Sequence, residues 1–181
     1  MNPSAPIVES ELPIAVKHLA FDLFYFGLYR SLIKDFMFVL TNPAASQAIT
    51  YALLLHFRVI LDFFYTTQPI KDDCCVTHFI QLSPAFKANF PAVVRPLWLT
   101  EVRDSLHKRL AHMTATRWRE PRPEMDYYRK YFGDIDGLTE TFLKGIPADL
   151  RTPFDSEWSN LERANRTALP KPNGDQFRQD F

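Results

Sequence analysis

Three polar residues interrupt a segment that is otherwise apolar, and with a histidine from a later, charged segment they are where chemistry would sit. His56, Arg58 and Asp62 fall inside the run LLLHFRVILDFF, and His112 falls inside EVRDSLHKRLAHMTATRW. Buried polar groups need partners, so these four are expected to meet in one polar cluster between two helices. On a 100° wheel Arg58 and Asp62 share a face as an i,i+4 pair, worth a few tenths of a kcal/mol when exposed. His56 points about 160° away from Arg58, among Leu53, Ile60 and Phe63, the setting of a core histidine hydrogen-bonded to a neighbouring element.

The second segment is richer in base and cation. Arg103, His107 and Thr114 lie on one flank, and Lys108 and His112 are four apart on another. An imidazole beside cations has its charged form disfavoured and serves as a neutral base near pH 7. A neighbouring arginine would stabilise a pentavalent phosphate, which completes the minimum apparatus for metal-independent RNA cleavage. In that role His112 is the base, Arg117 or Arg103 the phosphate clamp and Lys108 the electrostatic support. The bland alternative is a solvated basic face. His107 and His112 are five apart, about 140° round a helix, so one helix does not bring both to a single metal. No metal site and no cofactor is expected. The sequence holds no P-loop, no dinucleotide fingerprint and no Gly-x-Ser-x-Gly.

The elements that must position these residues can be read from proline. There are 14 prolines in 181 residues, and each costs about 3 kcal/mol inside a helix. The long proline-free windows are 14–42, 44–68, 97–120, 124–146 and 154–169, and helices are expected there. Asn42 caps and Pro43 starts the second helix. Thr100 or Glu101 begins the third, and Asp155 or Ser156 caps the last. Between 69 and 96 prolines recur every few residues, which suits a connection with short helices at most. No stretch alternates as a strand.

The first helix is apolar nearly all round. Leu12, Val16, Leu19, Leu23, Phe26, Arg30, Ile33, Met37 and Leu40 step by four and three, a packing seam with one arginine in it. Phe21, Phe24, Tyr25, Phe26 and Tyr29 occupy more faces than one bundle contact covers, so a homodimer built on this helix is expected. The third helix carries the stripe Leu99, Val102, Leu106, Leu110, Met113. The fold class is all-α: a bundle of four to five helices with two long antiparallel N-terminal ones. One domain is expected over 8–168, with 1–7 and 169–181 as loose tails.

Composition narrows the function classes. Lys+Arg and Asp+Glu are both 21, so the net charge is zero, which argues against a general nucleic-acid coat. Five glycines leave little for phosphate loops. The start MNPSAPIVESELP is not a secretory signal. The apolar windows 19–40 and 49–65 both carry charges, so no membrane span is expected. Cys74 and Cys75 are adjacent and read as reduced thiols of a cytoplasmic protein.

The segments His56 to Phe64 and Lys108 to Arg117, with Lys71-Asp72-Asp73 and Thr77-His78-Phe79 between them, resemble a group of uncharacterised small bacterial helical proteins over roughly residues 14–120. That group carries no established activity. A more distant likeness is to the HEPN superfamily of helical domains, many of them dimeric ribonucleases of toxin–antitoxin and phage-defence systems and some of them inactive binding modules. Their signature is Arg, often a polar residue, then His after four to six intervening residues. Here His107, not Arg, stands at that spacing before His112, and Arg103 has only three residues between it and His107. The likeness implies the fold more than the nuclease. The expected function is a dimerising or partner-binding module, with a HEPN-like ribonuclease acting on RNA as the alternative.

Overall fold

The computed structural model describes residues 7–35, 43–67, 74–91, 93–110 and 125–166, with the backbone alone for residues 34, 35, 43, 108 and 109. Every regular element among them is helical. A 3₁₀ turn at Glu9–Glu11 leads into α1 (Leu12–Asp35), followed by α2 (Pro43–Tyr65), α3 (Val76–Leu82), α4 (Pro84–Asn89), α5 (Leu99–Leu110), α6 (Met125–Arg129), α7 (Phe132–Gly145) and α8 (Ala148–Arg166). The chain is all-α. Eight α-helical segments among the described residues exceed the four to five expected. The additions are the short α3, α4 and α6, which form where proline permits one or two turns. Pro84 opens α4, where a missing N–H costs nothing, and the Ser83 hydroxyl accepts from the Phe86 amide at 3.3 Å.

The two long helices run antiparallel. His56 in α2 is bonded to Asp22 in α1 at 2.7 Å. Each lies thirteen residues from the end of its helix nearest the α1–α2 connection. A parallel pair would separate Asp35 from Pro43 by about 40 Å, more than the roughly 28 Å that eight residues span.

The seam read along α1 is the core. Leu12, Val16, Leu19, Leu23 and Phe26 are all buried, and Arg30 leaves the seam to pair with Asp136 of α7 at 2.6 Å. Its guanidinium lies 5.1 Å from the Phe26 ring centre and 5.2 Å from that of Phe132. The opposite face of α1 is covered by α8. Phe24, Leu28 and Leu161 form a second small core, with Phe24 edge-on to Trp158 at 5.3 Å. The aromatic excess of α1 is therefore largely accounted for inside one chain, because two helices rather than one pack on it. On α5, Leu99, Val102 and Leu106 are fully buried and Leu110 partly so, as the stripe implies; Met113 lies outside the described residues.

Two boundaries differ from expectation. α5 starts at Leu99, ahead of Thr100. α8 starts at Ala148, about two turns ahead of Asp155, and runs straight through Pro153. That proline removes one backbone bond near the start of the helix. Burial of Leu150, Phe154 and Leu161 on one face offsets the loss, and Asp155 pairs with Arg151 at 2.8 Å instead of capping.

The second half of the core is a set of phenylalanines centred on Phe142 of α7. Its ring meets those of Phe86, Phe63, Phe79, Phe64 and Phe90 at 5.3, 5.4, 5.5, 5.9 and 6.1 Å. At the end of α7 Gly145 is buried under Phe90, where a Cβ would meet the Phe90 Cβ at 3.4 Å. This close approach anchors the connection from α4 to α5, which carries Arg95.

Candidate functional site

α5 is amphipathic, so burying Leu99, Val102 and Leu106 turns Arg103 and His107 outward on one line. α2 packs alongside and presents Arg58 and Asp62. The Arg103 Nη2 and Asp62 Oδ1 form an ion pair at 2.6 Å. Arg58 Nε stands 3.6 Å from Asp62 Oδ2, a charge contact rather than a hydrogen bond. One carboxylate thus sits between two guanidiniums. Beside them opens a cavity of about 230 Å³ lined also by Arg95 from the α4–α5 connection and by Thr100, Asp104 and His107 from α5. Three guanidiniums face two carboxylates there. Arg95 is exposed and has no ion pair among the described residues. The arrangement is suited to holding an oxyanion.

A second polar group lies on the other side of α2. The His56 Nδ1 and Asp22 Oδ1 are 2.7 Å apart and both side chains are mostly buried. The imidazole stacks on Tyr25 and Tyr29, with ring centres 5.6 and 5.8 Å away, and is tilted against Phe21 at 5.8 Å. The carboxylate fixes the ring's orientation, and the aromatic rings enclose it. The result is a satisfied pair that joins α1 to α2.

The cysteines are free thiols. Cys75 is buried at the start of α3, where its amide donates to His78 Nδ1 at 3.2 Å and its Sγ lies 3.4 Å from the same nitrogen. Burial, with lesser contributions from Cys75 and Glu11, pushes the Cys74 thiol up to about 12, so Cys74 offers no thiolate at neutral pH. On α6, burial and a 2.6 Å bond donated to Glu101 raise the Tyr127 phenol well above its ordinary value. Among the described residues no three His, Cys, Asp or Glu side chains converge as a metal set.

Of the residues singled out in the sequence, the structure joins Arg58, Asp62 and Arg103 and gives His56 a different partner, Asp22. Lys108 is placed by its backbone on α5. His112 and Arg117 lie outside the described residues, as do the proposed tails apart from Ile7. Asp22 and Arg95 were not singled out. Asp22 could have been found by pairing the one charged residue in FDLFYFGLY with the histidine that interrupts the facing apolar helix. Arg95 carries no local signal, since only the fold of the α4–α5 connection brings it to Arg58.

No protein-family model, curated protein or solved structure matches the chain. One helix, Ala44–Tyr65, is long and apolar enough to cross a membrane by length and composition, with mean hydropathy 1.4 over its most apolar window. Much of that apolarity is used inside the protein, where Leu53, Leu54, Phe57, Ile60, Leu61 and Phe64 are buried, and the helix also bears Arg58 and Asp62.

Proposed function

We propose that this chain is a non-catalytic helical module that pairs with a second copy through the outer face of α1 and α2. The observation that supports it is an apolar face left open by the packing. Ile14 and Phe21 of α1 are 59% and 41% exposed, and Leu55 and Val59 of α2 are 50% and 39% exposed. Ile14 and Phe21 are two turns apart, and Leu55 and Val59 one turn. The contact of Phe21 with His56 sets the two stripes side by side. Exposed apolar patches of a few hundred Å² are the usual mark of an interaction site. A two-fold axis would lay each stripe on its own copy, an isologous contact, with Lys17 and His18 exposed between Ile14 and Phe21.

A bundle with two long antiparallel helices suits a HEPN-like arrangement, and free thiols suit a reducing cytoplasm. The ribonuclease alternative rests on His112, Arg117, Lys108 and Arg103. Arg103 forms an ion pair with Asp62, and the side chains of His112, Arg117 and Lys108 lie outside the described residues.

Sedimentation velocity at about 50 µM, well above the micromolar constants of weak specific interfaces, tests the reading. The wild type is expected at twice the 21.1 kDa chain mass. The double variant Phe21→Lys, Leu55→Glu is expected at the monomer mass with its helical circular dichroism intact. A wild type that sediments as a monomer overturns the reading, and so does a folded double variant that remains a dimer.

A further inference from the structure

We propose that the cavity between α2, α5 and the α4–α5 connection binds a small phosphomonoester, a function separate from the pairing of α1–α2 faces. Guanidinium groups reach it from three elements that are far apart in sequence: Arg58 on α2, Arg95 on the connection and Arg103 on α5. Long cationic side chains repel one another and lose rotamer freedom when held together. Three in one cavity is an arrangement that an anion relieves. Guanidinium forks match the oxygens of a phosphate and stay charged at every physiological pH. The Thr100 hydroxyl on the first turn of α5 adds a neutral donor at the same wall.

Asp62 explains how the cations are held while the site is open. It bonds Arg103 at 2.6 Å and stands 3.6 Å from Arg58, so it orients two guanidiniums and shields them from each other. It also competes with a ligand. Arg95, which is exposed, has no ion pair among the described residues. The cavity holds about 230 Å³, below the usual range of about 300–1,000 Å³ for drug-sized ligands. That admits a phosphate with a small polar body such as a pentose and excludes a dinucleotide. Asp104 and His107 also line the cavity.

The test is calorimetric titration of the full chain with ribose 5-phosphate, ribose and a single-stranded RNA 12-mer, in about 50 mM salt. Ribose 5-phosphate is expected to bind with a dissociation constant below about 1 mM, and ribose not to bind, since the charge supplies most of the affinity. Arg95→Ala removes an exposed side chain, so the fold should survive, and it is expected to weaken binding about tenfold, the loss of one charge-assisted contact. Asp62→Asn removes the competing charge and is expected to tighten binding several-fold, an effect opposite to that of a merely structural ion pair. Arg151→Ala, on the distant α8, should leave binding unchanged. No heat with ribose 5-phosphate at 10-fold the expected constant overturns the proposal. So does unaltered affinity in Arg95→Ala, or weaker binding in a folded Asp62→Asn. RNA binding more than about a hundredfold tighter than ribose 5-phosphate would assign the cavity to a polyanion instead and equally overturn it. None of these outcomes depends on whether the chain dimerises.

Discussion

Phe142→Ala should be among the most damaging single substitutions in the protein. The side chain is fully buried and its ring touches five other phenylalanines, supplied by α2 (Phe63, Phe64), α3 (Phe79), α4 (Phe86) and the residue after α4 (Phe90). Truncating a buried Phe costs about 3–5 kcal/mol, from lost transfer energy plus the cavity left behind. Edge-to-face pairs contribute about 0.5–1.5 kcal/mol each beyond area, though not additively. Four of the five contacts, those with Phe63, Phe64, Phe79 and Phe90, are close to perpendicular at 78–85°, which places Phe142 at the upper end, about 4–5 kcal/mol. For a chain of this size each kcal/mol moves the midpoint by about 2–4 °C, so the melting temperature should fall by about 10–15 °C. Phe154→Ala is the control. Phe154 is also buried, but its one described ring contact is Trp158 at 5.9 Å, so the loss should sit near 3 kcal/mol. Urea titration followed by circular dichroism measures both, with the slope held constant as the check that the denatured state is unchanged. A loss below about 2 kcal/mol for Phe142→Ala, or one smaller than for Phe154→Ala, would refute the placement of Phe142 at the centre of the core.

Arg30 and Asp136 should show a coupling of about 1 kcal/mol in a double-mutant cycle read by urea unfolding, because the pair is partly sheltered and the guanidinium also rests on two rings; additive single losses would contradict the contact. Asp22→Ala should cost about 1–3 kcal/mol by leaving the His56 ring nitrogen without its partner, and the double change Asp22→Leu, His56→Phe should recover most of it; a double variant no better than Asp22→Ala would argue against the pair. Cys74 should resist iodoacetamide at pH 8 in the native state. A thiol pushed from about 9 to about 12 has roughly a thousandfold less thiolate there, and rapid native labelling that matches the rate in urea would count against this burial.

The helices that could be read from the sequence were those whose boundaries proline sets and whose seams repeat at helical spacing. α1, α2 and α5 have both features. Leu12 through Phe26 and Leu99 through Leu106 are buried at the positions their spacing implies. The first turns of α8 escaped because Pro153 was read as a boundary, which put the start of the last helix at Asp155 or Ser156. The energy of a lost backbone bond is local, whereas the face carrying Leu150, Phe154 and Leu161 gains from packing on α1, and the latter term is invisible until α1 is known to need a cover. That α8 packs on α1 explains why α1 looked like a dimer seam. Its second apolar face, with Phe24 and Leu28, has α8 on it, and only the flank with Ile14 and Phe21 remains open.

The polar residues divide in a way that the wheel already contained. His56 points away from Arg58 on α2, so a helix packed on each side takes one of them: α1 brings Asp22 to His56, and α5 brings Arg103 to Asp62 and Arg58. Neutralisation then differs between the two sides. Asp22 matches the single imidazole, and the tyrosines stack over it. On the α5 side one carboxylate is shared by two arginines while a third arrives from the connection held down by the Phe90–Gly145 contact. A charge excess accompanied by open volume is what separates a site from a satisfied pair, and of the two polar groups on α2 the one with Arg58, Arg95 and Arg103 has both.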